Sequence, residues 1–167
     1  MGKPVAALRL IAVVGLALGL CACGDGGAKV NLAAAQAFLI ANAKAPGVQT
    51  LPSGVQYKVV QSGPADGPTP GPDDEVKVNY EGKLLNGKVF DSSFARGQPA
   101  DFILGGLIPA WVEALQRMRP GDEWILYVPP ALGYGDHAAG EIPRNSLLIF
   151  RIQLLRVLPH GGQTANG

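Results

Sequence analysis

The chain has 167 residues, 47% of them hydrophobic and 16% charged, with 14 Lys and Arg against 13 Asp and Glu for a net charge of +1. That length suits one domain, and so even a balance provides no field to draw the protein onto nucleic acid. Gly and Pro are abundant at 23 and 14 residues, but alternating apolar runs lie between them, which argues against a disordered chain.

In chain order, the first two dozen residues read as a unit. Lys3 and Arg9 precede the apolar run LIAVVGLALGL at positions 10–20, too short for a spanning helix of roughly 20 residues and suited to the apolar region of a secretory signal. Leu20-Cys21-Ala22-Cys23-Gly24 follows and resembles a bacterial lipobox, whose cysteine is lipidated and becomes the mature N-terminus. On that reading residues 1–22 are a lipoprotein signal peptide, and Cys23 carries a lipid that anchors the protein to a membrane. The alternative is ordinary secretory cleavage, leaving a soluble periplasmic or secreted protein. Cys21 and Cys23 are the only two cysteines and stand too close for an ordinary disulfide. As processing residues they imply neither a disulfide framework nor a metal.

Gly24-Asp25-Gly26-Gly27 reads as a flexible tether. Residues Asn31 to Lys44 (NLAAAQAFLIANAK) then predict a short helix with Asn31 as its N-cap and Pro46-Gly47 beyond its end. Such a helix is marginal alone, so it either docks through Phe38 and Leu39 or serves as a stalk. Tether and helix together make a segment 23–49. The run SGPADGPTPGPDD from Ser62 to Asp74 predicts a long surface loop inside a domain spanning 50–158, followed by a flexible tail at 159–167.

Within that domain the dominant pattern has period two. Val55, Tyr57 and Val59 alternate with Gln56 and Lys58, and Val76, Val78 and Tyr80 alternate with Lys77, Asn79 and Glu81, as half-buried strands require. Asn86-Gly87, between Lys83-Leu84-Leu85 and Lys88-Val89-Phe90, predicts a two-residue hairpin turn. Trp124 to Val128 and Leu147 to Val157 complete the strand pattern, the latter with Leu148, Phe150, Ile152 and Leu154 opposite Arg151 and Gln153. Only Pro109 to Met118 breaks it, placing Trp111, Leu115 and Met118 at helical spacing with Pro109 at the start. The fold class is α+β, an antiparallel sheet of about five strands wrapped around one short amphipathic helix.

Phosphate cradles and a nucleophile elbow are unsupported, since neither GxxxxGK[ST], GxGxxG nor GxSxG occurs. The two histidines, His137 and His160, have no thiolate left to join in a metal site, and His160 reads as a solvated side chain in a Gly-rich tail. The expected chemistry uses no cofactor, no metal and no covalent nucleophile.

Positive signals come from the aromatics. Of eleven Phe, Trp and Tyr residues, ten fall between Tyr57 and Phe150. In the same region run Val78-Asn79-Tyr80-Glu81-Gly82, Asn86-Gly87-Lys88-Val89-Phe90-Asp91-Ser92-Ser93, Arg96-Gly97-Gln98-Pro99, Ile108-Pro109-Ala110-Trp111-Val112-Glu113-Ala114-Leu115, Leu132-Gly133-Tyr134-Gly135 and Ile142-Pro143-Arg144-Asn145-Ser146. In this order and spacing they resemble the FKBP-type peptidyl-prolyl cis-trans isomerases (rotamases), in particular the bacterial branch with the macrophage infectivity potentiators. Thr50 to Tyr57 (TLPSGVQY) extends the resemblance ahead of the long loop.

What the resemblance implies is an aromatic pocket that takes a prolyl ring of a polypeptide substrate and lowers the barrier to rotation about the preceding amide. Trp111 would be its floor, Tyr80, Phe90, Phe102 and Phe150 its walls, and Leu107 and Ile108 its rim, with Ile142 closing the flap side. Asp91, oriented by Tyr80 and Arg96, would face the substrate carbonyl carbon, and Tyr134 would donate its hydroxyl to the carbonyl oxygen. Each residue also has a plainer reading: the walls as core side chains, Asp91 as a turn or helix cap, Tyr134 as a turn aromatic.

The chain departs from the family pattern in several places. Ala100 stands where small eukaryotic members carry a wall aromatic, which bears on affinity for macrolide inhibitors. The segment Gly105-Gly106-Leu107-Ile108 and the flap Asp136 to Glu141 are short, and Glu141 replaces a usually apolar residue. The long dimerising N-terminal helices of the infectivity potentiators are absent, implying a monomer. The resulting expectation is a lipid-anchored isomerase facing the periplasm, on the outer membrane in preference to the inner, that assists folding of exported proteins. The alternative is a non-catalytic chaperone or binding module for proline-containing segments.

Overall fold

The computed structural model describes residues 25–160. The signal peptide, the lipidation site at Cys23 and most of the C-terminal tail lie outside the described residues.

Seven strands form one fully antiparallel sheet: β1 (Val48–Thr50), β2 (Gln56–Gln61), β3 (Glu75–Leu84), β4 (Val89–Ser92), β5 (Ala100–Ile103), β6 (Glu123–Val128) and β7 (Leu148–Leu158). The order is β1-β2-β6-β7-β3-β4, with β5 also paired to β3. The two strands beyond the expected five are β1 and β5, three and four residues long, too brief for an alternating pattern to register. β4 and β5 share one edge of β3 in tandem, β4 along Glu81–Lys83 and β5 along Glu75–Val78.

Sequence alternation works well on β3, whose even-numbered residues are all buried and odd-numbered ones half-exposed. β7 keeps the same alternation until Leu155, which the register skips between Leu154 and Arg156. This bulge turns Val157 back to the core side. Helix α3 (Pro109–Leu115) lies across the concave face and buries Ala110, Trp111, Ala114 and Leu115 against Val76, Val78, Leu126, Ile152 and Leu154. It ends three residues before the expected Met118, where the chain tightens into bonds from Arg117 N–H to Ala114 and from Met118 N–H to Leu115, yet Met118 is still fully buried.

The N-terminal helix differs most from expectation. α1 spans Asp25–Asn42, so Gly26 and Gly27 are helical instead of forming a tether, Asn31 is interior to the helix instead of its cap, and the helix stops two residues short of Lys44. Glycine costs about 1 kcal/mol per helical position, and tertiary contacts offset this. Asn31 Nδ2 donates to the Arg144 carbonyl at 2.9 Å, Asn145 Nδ2 donates to the Ala28 carbonyl at 3.4 Å, and Ala35 is fully buried. Farther along, the Phe38 ring lies 5.7 Å from that of Tyr127. The helix is docked on the sheet.

Docking also adds one exception to the expected alternation of β2, in which Tyr57 and Val59 pack against the core while Lys58 stays exposed. Gln56 is only 4% exposed, because α1 covers it: Gln56 Nε2 donates to the Leu39 carbonyl and Asn42 Nδ2 donates to Gln56 Oε1, both at 2.8 Å.

The turn joining β3 and β4 is a three-residue loop instead of the expected two. Gly87 N–H bonds to the Leu84 carbonyl, Leu84 N–H to the Lys88 carbonyl, and only Gly87 takes positive φ, at 86°. That is a type I turn closed by a glycine in the left-handed region. The proline-rich loop ahead of β3 is pinned by Asp122, a buried carboxylate that accepts from the N–H of Gly63 at 2.6 Å and of Arg119 at 2.8 Å.

Candidate active site

Between the concave face of the sheet and the start of α3, a cavity of about 300 Å³ is lined by Tyr80, Phe90, Asp91, Phe102, Gly106, Leu107, Ile108, Trp111, Tyr134 and Phe150. Its position follows from the chain order. Pro109 begins α3 with no N–H to waste, and this sets Trp111 on the first turn, 4% exposed. Tyr80 comes from β3, Phe90 and Asp91 from β4, Phe102 from β5 and Phe150 from β7. Leu107 and Ile108 enter from the 3₁₀ turn Leu104–Gly106 that leads into α3.

The rings pack edge to face. Trp111 meets Tyr80 at 5.4 Å, Phe150 at 5.2 Å and Phe102 at 6.2 Å between centroids, each within a few degrees of perpendicular. Phe90 meets Phe150 in the same way at 5.7 Å. Each such pair adds about 0.5–1.5 kcal/mol beyond the area it buries, so the cavity walls are held as a unit.

One charged group lies in this apolar setting. Asp91 precedes Ser92, and it is Ser92 that caps the short helix α2 (Ser93–Arg96), its hydroxyl accepting from Ala95 N–H at 3.2 Å. Asp91 is thereby left free to face the cavity. Its Oδ2 accepts from the Tyr80 hydroxyl and its Oδ1 from Arg96 Nη1, while Arg96 Nη2 donates to the Tyr80 hydroxyl at 3.0 Å. Burial pushes the Asp91 carboxyl upward, but the hydrogen bonds from Tyr80 and Arg96 and the Arg96 charge outweigh it, so the group titrates below its ordinary value. Burial and the bond to Asp91 push the Tyr80 phenol up. The triad is thus an ionised carboxylate, a neutral phenol and a guanidinium, linked in a ring.

Tyr134 enters from the far side, between Gly133 and Gly135, and is 41% exposed. Among the described residues its hydroxyl has no hydrogen-bond partner, leaving it available to a ligand. Of the eleven residues nominated for catalysis or substrate binding, nine line the cavity. Arg96 does not, and reaches it through Asp91 and Tyr80. Ile142 is buried at the turn it forms with Ala139 and is not among the lining residues. Glu141 pairs with Lys88 at the tip of the β3–β4 hairpin, at 3.3 Å.

Sequence reasoning missed two backbone positions. Gly106 lines the cavity directly. Gly82 sits under the Phe90 and Phe150 rings; its place in the Val78-to-Gly82 motif was visible, its reason was not. The His137 imidazole pairs with Asp136 at 2.8 Å, and no group of residues suited to hold a metal occurs among the described residues.

Comparison with known proteins bears directly on this site. A family model described as "FKBP-type peptidyl-prolyl cis-trans isomerase" matches residues 67–155, more than half of the chain and the whole span from β3 through most of β7. The chain belongs to this family. A second model, "Domain amino terminal to FKBP-type peptidyl-prolyl isomerase", matches residues 25–59, which cover α1, β1 and most of β2. Because β2 pairs with β6, both FKBP regions build one sheet.

"Peptidyl-prolyl cis-trans isomerase Mip" of Coxiella burnetii is 54% identical over 128 residues, covering 76% of this chain and 55% of that protein. "Outer membrane protein MIP" of Legionella longbeachae is 46% identical over 131 residues, covering 78% and 55%. The crystal structure of a peptidyl-prolyl cis-trans isomerase from Pseudomonas syringae superposes with a TM-score of 0.72 at 35% identity, covering 78% of this chain and 96% of that one. The chain spans about half the length of the curated relatives it matches.

Proposed function

We propose that the protein is a peptidyl-prolyl cis-trans isomerase that accelerates rotation about X–Pro bonds in exported polypeptides, assisting their folding in the bacterial cell envelope. The observation that carries this reading is the meeting, in one cavity, of a Trp111 floor with aromatic walls and a single carboxylate held by Tyr80 and Arg96.

The uncatalysed barrier of ~18–20 kcal/mol reflects lost amide resonance, and X–Pro exchange takes tens to hundreds of seconds. No bond has to break. The prolyl ring lies on Trp111 between Tyr80, Phe90, Phe102 and Phe150, with Leu107 and Ile108 at the rim and Ile142 behind the flap. In the twisted transition state the carbonyl has less charge separation than in the planar amide, so removing water from it disfavours the ground state. Asp91 faces the carbonyl carbon, which is more positive once nitrogen no longer donates into it, and Tyr134 donates to the carbonyl oxygen. The Asp91 contact strengthens along the twist, which raises kcat, while the Tyr134 hydrogen bond holds the carbonyl oxygen in place as the amide turns.

The test is cis-to-trans conversion of an Ala-Leu-Pro-Phe peptide. The wild type should shorten the exchange time, whereas Asp91→Ala and Tyr134→Phe should each do so less. A wild-type rate equal to the uncatalysed rate overturns the reading.

The same proposal places the protein on the periplasmic face of the envelope, anchored by a lipid on Cys23 after removal of residues 1–22. The Leu20-to-Cys23 motif and a relative named as an outer membrane protein support it. Among the described residues no helix is long and apolar enough to cross a membrane. Cys23→Ser should release the protein from the membrane fraction.

A further inference from the structure

Ser93, the first residue of α2, is fully buried and has no part in the mechanism above. On its outer edge, β3 pairs with β4 only at Glu81–Lys83 and with β5 only at Glu75–Val78, so backbone pairing lapses at Asn79 and Tyr80. The Ser93 hydroxyl fills the gap. Its Oγ accepts from the backbone N–H of Tyr80 at 2.8 Å and lies 3.4 Å from both Asn79 Oδ1 and the Tyr80 carbonyl oxygen, either of which can take its proton. A side-chain hydroxyl thus replaces a rung of the ladder, satisfying an amide that would otherwise be buried unpaired.

The same contact is braced from the outer face of the sheet. Glu123, Gln153 and Asn79 are register partners across β6, β7 and β3. Asn79 Nδ2 donates to Gln153 Oε1 at 3.3 Å, Gln153 Nε2 donates to Glu123 Oε2 at 2.6 Å, and Arg151 Nε donates to Glu123 Oε1 at 2.6 Å. The Arg151 guanidinium then lies 5.1 Å over the ring of Phe94, the residue after Ser93. The row of polar side chains leaves α2 at Ser93 and returns to it at Phe94.

We propose that Ser93 is a positioning residue for the ring formed by Tyr80, Asp91 and Arg96. Asp91 precedes Ser93 by two residues and Arg96 follows it by three, so the hydroxyl fixes where both stand against Tyr80, itself held on β3 by pairing with Ile152 of β7. Losing it loosens the carboxylate within the cavity without removing any group that touches the substrate. The inference rests on the isomerase reading for its kinetic consequence and on geometry alone for its effect on Asp91.

The experiment compares wild type, Ser93→Ala, Asp91→Ala and the double variant on the Ala-Leu-Pro-Phe peptide, and follows the Asp91 carboxyl through its titration by carbon-13 NMR. In Ser93→Ala, kcat should fall about tenfold with KM within about twofold, the mark of lost geometry at the reacting bond. Asp91 should titrate at higher pH than in wild type, and Ser93→Ala should cost nothing further in the Asp91→Ala background. An unchanged kcat, an unchanged Asp91 titration, or the same fold loss in both backgrounds overturns the inference. The titration needs no turnover, so an inactive wild type would overturn the isomerase reading while the titration still decides the role of Ser93. Should Ser93→Ala fail to fold, Asn79→Ala removes the side-chain acceptor of the hydroxyl from a half-exposed position. A smaller kcat loss with the same direction of Asp91 titration supports the inference there, and no change in either overturns it.

Discussion

Gly82 abuts the ring of Phe90 so closely that a Cβ at that position would stand 2.6 Å from two of the ring's carbons, and 2.7 Å from the edge of Phe150 as well. The edge-to-face contact between those two rings therefore depends on a bare backbone in β3. Gly82→Ala should force both walls aside at a cost of about 1–3 kcal/mol, read by urea denaturation, and KM for a proline peptide should rise because the cavity loses its shape.

On the proposed mechanism, the Asp91 carboxyl should set the acid limit of activity. Its folded pKa lies below the unfolded value, since the bonds from Tyr80 and Arg96 outweigh burial. Its contribution to stability is therefore complete above the unfolded carboxylate range near pH ~4 and is lost as pH falls through the folded value. No histidine lines the cavity, so kcat/KM should be flat from about pH 6 to 8. Arg96→Ala removes a hydrogen bond and a positive charge, so the acid limb of the profile should move to higher pH, checked by measuring kcat/KM from neutral pH downward.

Docking of α1 stabilises the fold without shaping the cavity. Phe38→Ala removes the ring contact with Tyr127 and should lower unfolding stability by about 1–3 kcal/mol. The kcat/KM value should stay within about twofold of wild type, because no residue of α1 lines the cavity.

Asp122 ties the proline-rich loop to the turn after α3. Asp122→Ala leaves the N–H groups of Gly63 and Arg119 unpaired, at about 1–3 kcal/mol for each that stays buried. Faster limited proteolysis within residues 62–74, together with a lower urea midpoint, is the expected outcome.

How much of this was legible beforehand depended on whether a residue's environment is local. The alternation in β3 and the first part of β7 is a local pattern and read correctly. Gln56 did not, because its burial is caused by a helix that arrives from outside the strand. Asp25 to Gly27 read as a tether because glycine propensity is local, whereas the contacts with Arg144 and Asn145 that hold the first turns of α1 come from more than a hundred residues away. At the site, the family resemblance carried by the ordered motifs named nine of the ten lining residues. Ser93 escaped notice because its task exists only where two strands exchange places along one edge of β3, a matter of register that no linear motif encodes.

The helical start at Asp25 changes the geometry of the proposed anchor. Only Gly24 separates Cys23 from α1 in the chain, and the first turns of α1 are fastened beside Arg144 and Asn145. A lipid on Cys23 would therefore keep the Arg144–Asn145 end of the body close to the headgroups. On the proposed function, an isomerase anchored in this way would sample mainly the chains that pass through a thin layer above one leaflet.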